Sequence, residues 1–170
     1  GTVGSRGCIF CSDTGSGEFA ACGADIAAQL SDARRRVADK VPADAGYIAY
    51  FQSFTNTYAP VETLRPLFTA AMAPQDVVAL SVATRPDCLG EDVLNLLSEL
   101  NEKKPVWVEL GLQTVHAETA RYIRRGYETS VFEEAVRKLQ NLQIPVIVHV
   151  ILGLPGETRQ HMLSTVEYLN

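Results

Sequence analysis

The sequence predicts an α/β fold built on parallel strands, and three observations lead there. Short β-branched and aromatic runs alternate with segments whose apolar residues recur at helical spacing. The alternation repeats at roughly thirty residues, the length of a strand–helix–strand unit whose right-handed crossover sets successive strands parallel. Polar and conformationally special residues gather just past the C-terminal ends of the strands, the edge at which parallel α/β proteins build their sites.

Residues 1–23 are rich in Gly and Ser, carry three cysteines and show no sustained apolar period, so they read as a loop. Ile26, Leu30, Ala33 and Val37 then mark a helix, and Tyr47 to Phe54 a strand. Pro60 sits where a first helical turn tolerates it, ahead of the stripe Val61, Leu64, Phe68 and Ala71. Val77 to Ala83 is the second strand, Val93, Leu96, Leu97 and Leu100 a helix, and Val106 to Leu112 the third strand. After a short helix, Ser130-Val131-Phe132-Glu133 reads as a capping box that opens the stripe Phe132, Ala135, Val136 and Leu139. Val146 to Leu152 is the fourth strand. From pattern alone, four such strands fit either an open doubly wound sheet or an arc of a (β/α) barrel.

The length, 170 residues, suits one hydrophobic core. Twenty acidic against 15 basic residues give a net charge of −5, which speaks against a general nucleic-acid or anionic-membrane surface, because phosphate affinity comes from accumulated Lys and Arg. No run of about 18 apolar residues and no signal-peptide pattern occurs, so a cytoplasmic protein with no membrane segment is expected. The chain opens on Gly1-Thr2 without an initiator Met and stops at Glu167 to Asn170 inside an amphipathic pattern, so a fragment truncated at both ends is expected.

Cys8 and Cys11, two residues apart in a Gly-flanked loop, can turn both sulfurs toward one metal, and thiolates select zinc or iron–sulfur. No second pair with knuckle spacing follows, since Cys22 and Cys88 are isolated. Glu109 and Gln113 alternate along one strand and share a face with Trp107, a carboxylate and an amide that suit ribose hydroxyls or a satisfied polar network; Gly111 between them permits close approach. Gly153-Leu154-Pro155-Gly156-Glu157-Thr158 leaves a strand and opens a helix, offering backbone N–H groups to a nucleoside or an anion. Arg124 and Arg125 read as a solvated pair able to grip a carboxylate, and His149 as a satisfied core histidine.

In order, Gly7-Cys8-Ile9-Phe10-Cys11-Ser12, Gly15 to Phe19, Phe51 to Pro60, Thr84-Arg85-Pro86-Asp87-Cys88, Val108 to His116, Arg124 to Tyr127 and Gly153 to Thr158 resemble radical S-adenosylmethionine (radical SAM) proteins. The subgroup is that of bacterial Fe–S oxidoreductases related to the Elongator catalytic subunit and to oxygen-independent coproporphyrinogen oxidase. The resemblance runs nearly end to end. It implies a core domain over 1–170, with loop 1–23 binding the cluster and 24–170 forming a partial (β/α) TIM-like barrel with parallel strands. It implies a [4Fe–4S] cluster held by three cysteines, S-adenosylmethionine on the open iron, and a 5′-deoxyadenosyl radical.

Cys8 and Cys11 match the last two cluster ligands. The first belongs to a segment upstream of Gly1, with Cys22 as the competing candidate, so poor cluster binding by this fragment is expected. Ser53, Thr55 and Asn56 correspond to the segment that receives the methionyl amino group, Glu109 and Gln113 to the polar pair near the ribose, Arg125 to the arginine that meets the methionyl carboxylate, and Gly153 to Gly156, with Pro155, to the turn beside the adenine. Ala83 departs from relatives that carry a carboxylate there. The implied partners are an electron donor such as flavodoxin or ferredoxin and a substrate that is tRNA or a small molecule. A reading from another class is a non-catalytic zinc- or nucleotide-binding α/β module.

Overall fold

Four parallel strands, β1 (Tyr47–Phe51), β2 (Val77–Thr84), β3 (Val106–Gln113) and β4 (Val146–Val150), form one sheet in the order β1-β2-β3-β4. A computed structural model supplies this architecture and describes residues 7–11 and 25–170. The order of strands in space follows their order in the chain, so the reversal that a doubly wound sheet requires does not occur. The sheet is an arc of a (β/α) barrel. Ser12, the segment from Gly15 to Phe19, and Cys22 lie outside the described residues.

The helices are α1 (Ile26–Val37), α2 (Val61–Met72), α3 (Glu91–Asn101), α4 (Ala117–Tyr122), α5 (Thr129–Asn141) and α6 (Arg159–Glu167). The predicted stripes become their buried faces: Leu64, Phe68 and Ala71 on α2, Val93, Leu96, Leu97 and Leu100 on α3, Phe132, Ala135 and Leu139 on α5. They pack on the outer side of the sheet, where Leu80, Val82, Val106, Val108, Leu110 and Leu112 are fully buried. Each such side chain contributes about 1.5–3 kcal/mol by leaving water. The opposite parity of β3, Trp107, Glu109, Gly111 and Gln113, belongs to the inner side, together with Ile48 and Tyr50 of β1, Ala79, Ser81 and Ala83 of β2, and Ile147 and His149 of β4. Helices line one face, and a polar row crosses the other.

β2 and β3 each run one residue beyond the sequence reading, to Thr84 and Gln113, and three further boundaries differ from it. β1 ends at Phe51 rather than Phe54, because the chain turns through Phe54 at a φ of 61°. β4 ends at Val150, two residues short of Leu152, ahead of Gly153 at a φ of 86°. The capping box expected at Ser130 is absent: α5 already begins at Thr129, its N-cap Glu128 makes no side-chain cap, and Ser130 is a residue of the first turn. A reciprocal box does occur, at Thr158, whose hydroxyl accepts from the His161 N–H while His161 Nδ1 accepts from the Thr158 N–H.

Candidate functional site

Glu109 is the hub of the inner face. Its neighbours across the ladder are Ala83 and Ile147, neither of them charged. The carboxylate is 9% exposed and accepts three hydrogen bonds: Ser81 Oγ to Oε1 at 2.6 Å, Tyr50 OH to Oε2 at 2.8 Å, and His149 Nε2 to Oε2 at 2.6 Å. Burial disfavours its charge, yet the bonds from Ser81, Tyr50 and His149 outweigh that and hold Glu109 below the usual carboxylate range. The same arrangement, burial first and then the bond to Glu109, raises the Tyr50 phenol well above its ordinary value. A carboxylate offers about four lone-pair sites, so one acceptor position on Oε1 stays open.

His149 therefore needs correction. The sequence reading makes it a satisfied core histidine; its side chain is 49% exposed on the inner face, beside Gly111 in the ladder, with Nε2 on Glu109.

Gln113 ends β3 in an uncommon way. Its φ is 65°, and the Thr114 N–H returns to the Leu112 carbonyl at 2.8 Å, the i to i+2 bond of a γ-turn. The turn lays the Gln113 amide over Gly111, where a Cβ would stand 2.5 Å from Nε2. A side chain at position 111 would displace the Gln113 amide from this place. Glu109 and Gln113 thus share one face, as their alternation predicts.

At the end of β1, Asn56 Nδ2 donates to the carbonyls of Phe51 and Ala83, each at 2.9 Å, and ties β1 to β2. Among the described residues no donor is bonded to its Oδ1, and Ser53 and Thr55 of the same segment are half-buried. Thr57 Oγ1 donates to the Cys88 carbonyl, so Thr84 Oγ1 is the donor in the Thr57–Thr84 pair. At the end of β4, Leu154-Pro155-Gly156-Glu157 forms a turn closed by Glu157 N–H on the Leu154 carbonyl, with Gly156 at a φ of 86°. Gly153 and Pro155 are exposed, and Pro155 lines a shallow cleft with His116, Tyr122 and His161 rather than the row around Glu109. Glu157 accepts from Thr114 Oγ1 and anchors this turn to the end of β3.

The cysteine loop docks beside that edge. Ile9 N–H donates to the Ile123 carbonyl at 3.1 Å, Cys8 Sγ lies 3.5 Å from the Arg124 carbonyl, and Cys11 N–H closes a turn on the Cys8 carbonyl. Burial and the adjoining Cys8 sulfur push the Cys11 thiol up from its ordinary value. Among the described residues no three His, Cys, Asp or Glu side chains converge as a metal site, so this loop supplies two soft sulfur donors.

Arg125 does not present the solvated fork that its sequence context suggests. It is 2% exposed, and its guanidinium donates to the carbonyls of Tyr127 (3.0 Å), Leu112 (2.9 Å) and Thr114 (2.8 Å) and to Thr129 Oγ1 (3.1 Å). Four of its five N–H groups are thereby engaged, which leaves no pair free to grip a carboxylate. Arg124, by contrast, is exposed. The Tyr127 ring lies under both Arg125 (4.9 Å to the centroid) and Arg85 (5.0 Å), and its hydroxyl donates to the Gly111 carbonyl. Burial raises the Tyr127 phenol strongly despite the two guanidinia.

Tyr50, Ser81, Arg85 and Tyr127 complete the candidate site without having been assigned a role from sequence, although Arg85 and Tyr127 lie in segments that carry the resemblance. Parity could have flagged Ser81, a hydroxyl inside an apolar strand, once the register was known. Tyr127 had no signal beyond its place after Arg125.

The sequence model of the radical SAM superfamily matches residues 2–169. Protein YtqA of Bacillus subtilis is 51% identical over 166 residues, covering 97% of the chain and 51% of YtqA. The chain spans about half the length of the curated relatives it matches. Among solved structures, archaeal Methanocaldococcus infernus Elp3 superimposes with a TM-score of 0.68 at 20% identity, over 84% of this chain and 36% of that one. The radical S-adenosylmethionine methyltransferase TsrM of Kitasatospora setae, solved with cobalamin and a [4Fe-4S] cluster, superimposes with a TM-score of 0.56 at 16% identity, over 85% of this chain and 28% of that one.

Proposed function

The chain belongs to the radical SAM superfamily, and from that premise we propose that Cys8 and Cys11 hold a [4Fe–4S] cluster and that S-adenosylmethionine binds across the C-terminal ends of the strands. Two paired thiols on a turn fit the soft-ligand demand of iron–sulfur better than that of a hard cation. When bound, the cluster supplies the electron that cleaves the sulfonium and releases a hydrogen-abstracting 5′-deoxyadenosyl radical. The observation that carries the reading is that the cysteine loop rests on the Ile123 and Arg124 carbonyls, next to Arg125, whose guanidinium holds the Leu112 and Thr114 carbonyls at the end of the strand bearing Glu109 and Gln113.

In this reading Glu109, kept ionised by its three donors, takes a ribose hydroxyl on its open Oε1 position. The Gln113 amide supplies a donor and an acceptor above Gly111. Asn56 Oδ1, with Ser53 and Thr55, receives the methionyl amino group, and Gly153, just past β4, borders the adenine, while Pro155 faces the neighbouring cleft. Ala83 places no second carboxylate beside Glu109, so the ribose hydroxyls rely on Glu109. The electron donor is of the flavodoxin or ferredoxin type, and the substrate is a tRNA or a small molecule.

Anaerobic reconstitution followed by iron and sulfide analysis tests the metal. Dithionite reduction with S-adenosylmethionine, followed by chromatography, tests the cleavage. Iron-loaded full-length polypeptide that releases 5′-deoxyadenosine is the expected result, with loading lost in its Cys8→Ala and Cys11→Ala variants. Stoichiometric zinc, no iron uptake and no cleavage by the full-length polypeptide would overturn it in favour of a non-catalytic zinc- or nucleotide-binding module.

A further inference from the structure

We propose that Arg125 is a positioning residue whose guanidinium locks the γ-turn at Gln113, so that one side chain sets the nucleoside face while the two residues before it, through the carbonyls of Ile123 and Arg124, seat the cysteine loop. The inference rests on the reading above that a nucleoside binds over β3.

A non-glycine residue at a φ of 65° in a γ-turn is strained and persists only where its surroundings hold it. Arg125 Nη1 donates to Leu112 and Thr114, the two carbonyls that flank Gln113. The Tyr127 hydroxyl takes the next carbonyl upstream, that of Gly111. With those three oxygens fixed, the Gln113 amide stays folded over Gly111 on the inner face.

The main chain of the same segment faces the other way. Successive carbonyls of Ile123, Arg124 and Arg125 lie against Ile9 N–H, the Cys8 sulfur and Arg85 Nη1. A shift of the Arg125 guanidinium would therefore move both the amide over β3 and the ledge under Cys8. Gripping a ligand carboxylate with two N–H groups would require giving up at least one of the four bonds, to Tyr127, Leu112, Thr114 or Thr129. A lysine keeps the charge but not the planar fork, so it cannot serve Leu112, Thr114, Tyr127 and Thr129 together.

The test compares S-adenosylmethionine with 5′-methylthioadenosine, a nucleoside without the carboxylate, by calorimetry on the reconstituted full chain and its Arg125→Lys variant. Positioning predicts that both ligands weaken by the same factor, about tenfold, the loss typical of removing an outer support. Weakening of S-adenosylmethionine alone would assign Arg125 to the carboxylate and overturn the inference, as would no weakening of either. No binding by the unaltered protein would overturn the nucleoside reading itself and this inference with it. Because Arg125→Lys also perturbs folding, Arg125→Lys/Gln113→Gly is measured beside it, in the unloaded protein as well. Glycine adopts this φ freely, so the double variant should regain thermal midpoint lost by the single one without regaining affinity; a midpoint left unrecovered would refute the coupling between the guanidinium and the turn.

Discussion

Glu109 shows how much of a site depends on who the neighbours are. Its side of the strand, shared with Gln113, follows from the two-residue period of β structure and is legible in the sequence. Its donors are not: Tyr50, His149 and Ser81 lie 59, 40 and 28 positions away, and only the register of β1, β2 and β4 against β3 brings them in. The same register turns His149 from a core residue into the open end of the network. A pH dependence follows. The folded pKa of Glu109 lies below its ordinary value of about 4.3, so its contribution to stability is complete above that value and is lost as pH falls through the lower folded value. In urea unfolding, Glu109→Gln should be less stable than the unaltered protein at neutral pH, and the gap should shrink as pH drops below about 4. A gap independent of pH would show that the charge adds nothing.

At the level of elements, apolar periodicity locates every strand and the buried stripes of α2, α3 and α5, whereas the ends follow local hydrogen bonds that periodicity does not encode. Ser130 with Glu133 has the spacing of a capping box, yet α5 starts at Thr129, whose hydroxyl takes an N–H from Arg125. The working box, Thr158 with His161, escapes notice because an imidazole replaces the usual Glu or Gln at its third helical position. Thr158→Ala should cost about 1 kcal/mol, as N-cap losses do, and Ser130→Ala should stay within about 0.5 kcal/mol. Chemical denaturation of the two variants separates them; equal losses would mean that the box at Thr158 contributes nothing beyond an ordinary surface residue.

Across the whole molecule, the two faces of the sheet carry different burdens. The outer face is sealed by helices, and Leu110→Ala there should cost about 2–5 kcal/mol through lost burial and the cavity left behind. Ile147, 40% exposed on the inner face, should lose less than about 1 kcal/mol on conversion to Ala. Thermal or urea unfolding of the pair measures the contrast; a similar cost for both would mean that the inner face is as tightly packed as the outer. No helix among the described residues is long and apolar enough to cross a membrane. The amino-acid order alone determined the strand–helix alternation, the parallel sheet, the strand ends where polar residues collect, the paired cysteines, and the shared face of Glu109 and Gln113, because each is a matter of spacing along one chain. Tertiary structure decided that the sheet is an arc without a switch point, that Glu109 collects three donors, and that Arg125 is a buried clamp on β3. Those outcomes depend on strand register and on carbonyls at a strained turn that take a further donor, and both arise only when segments apart in the chain are brought together.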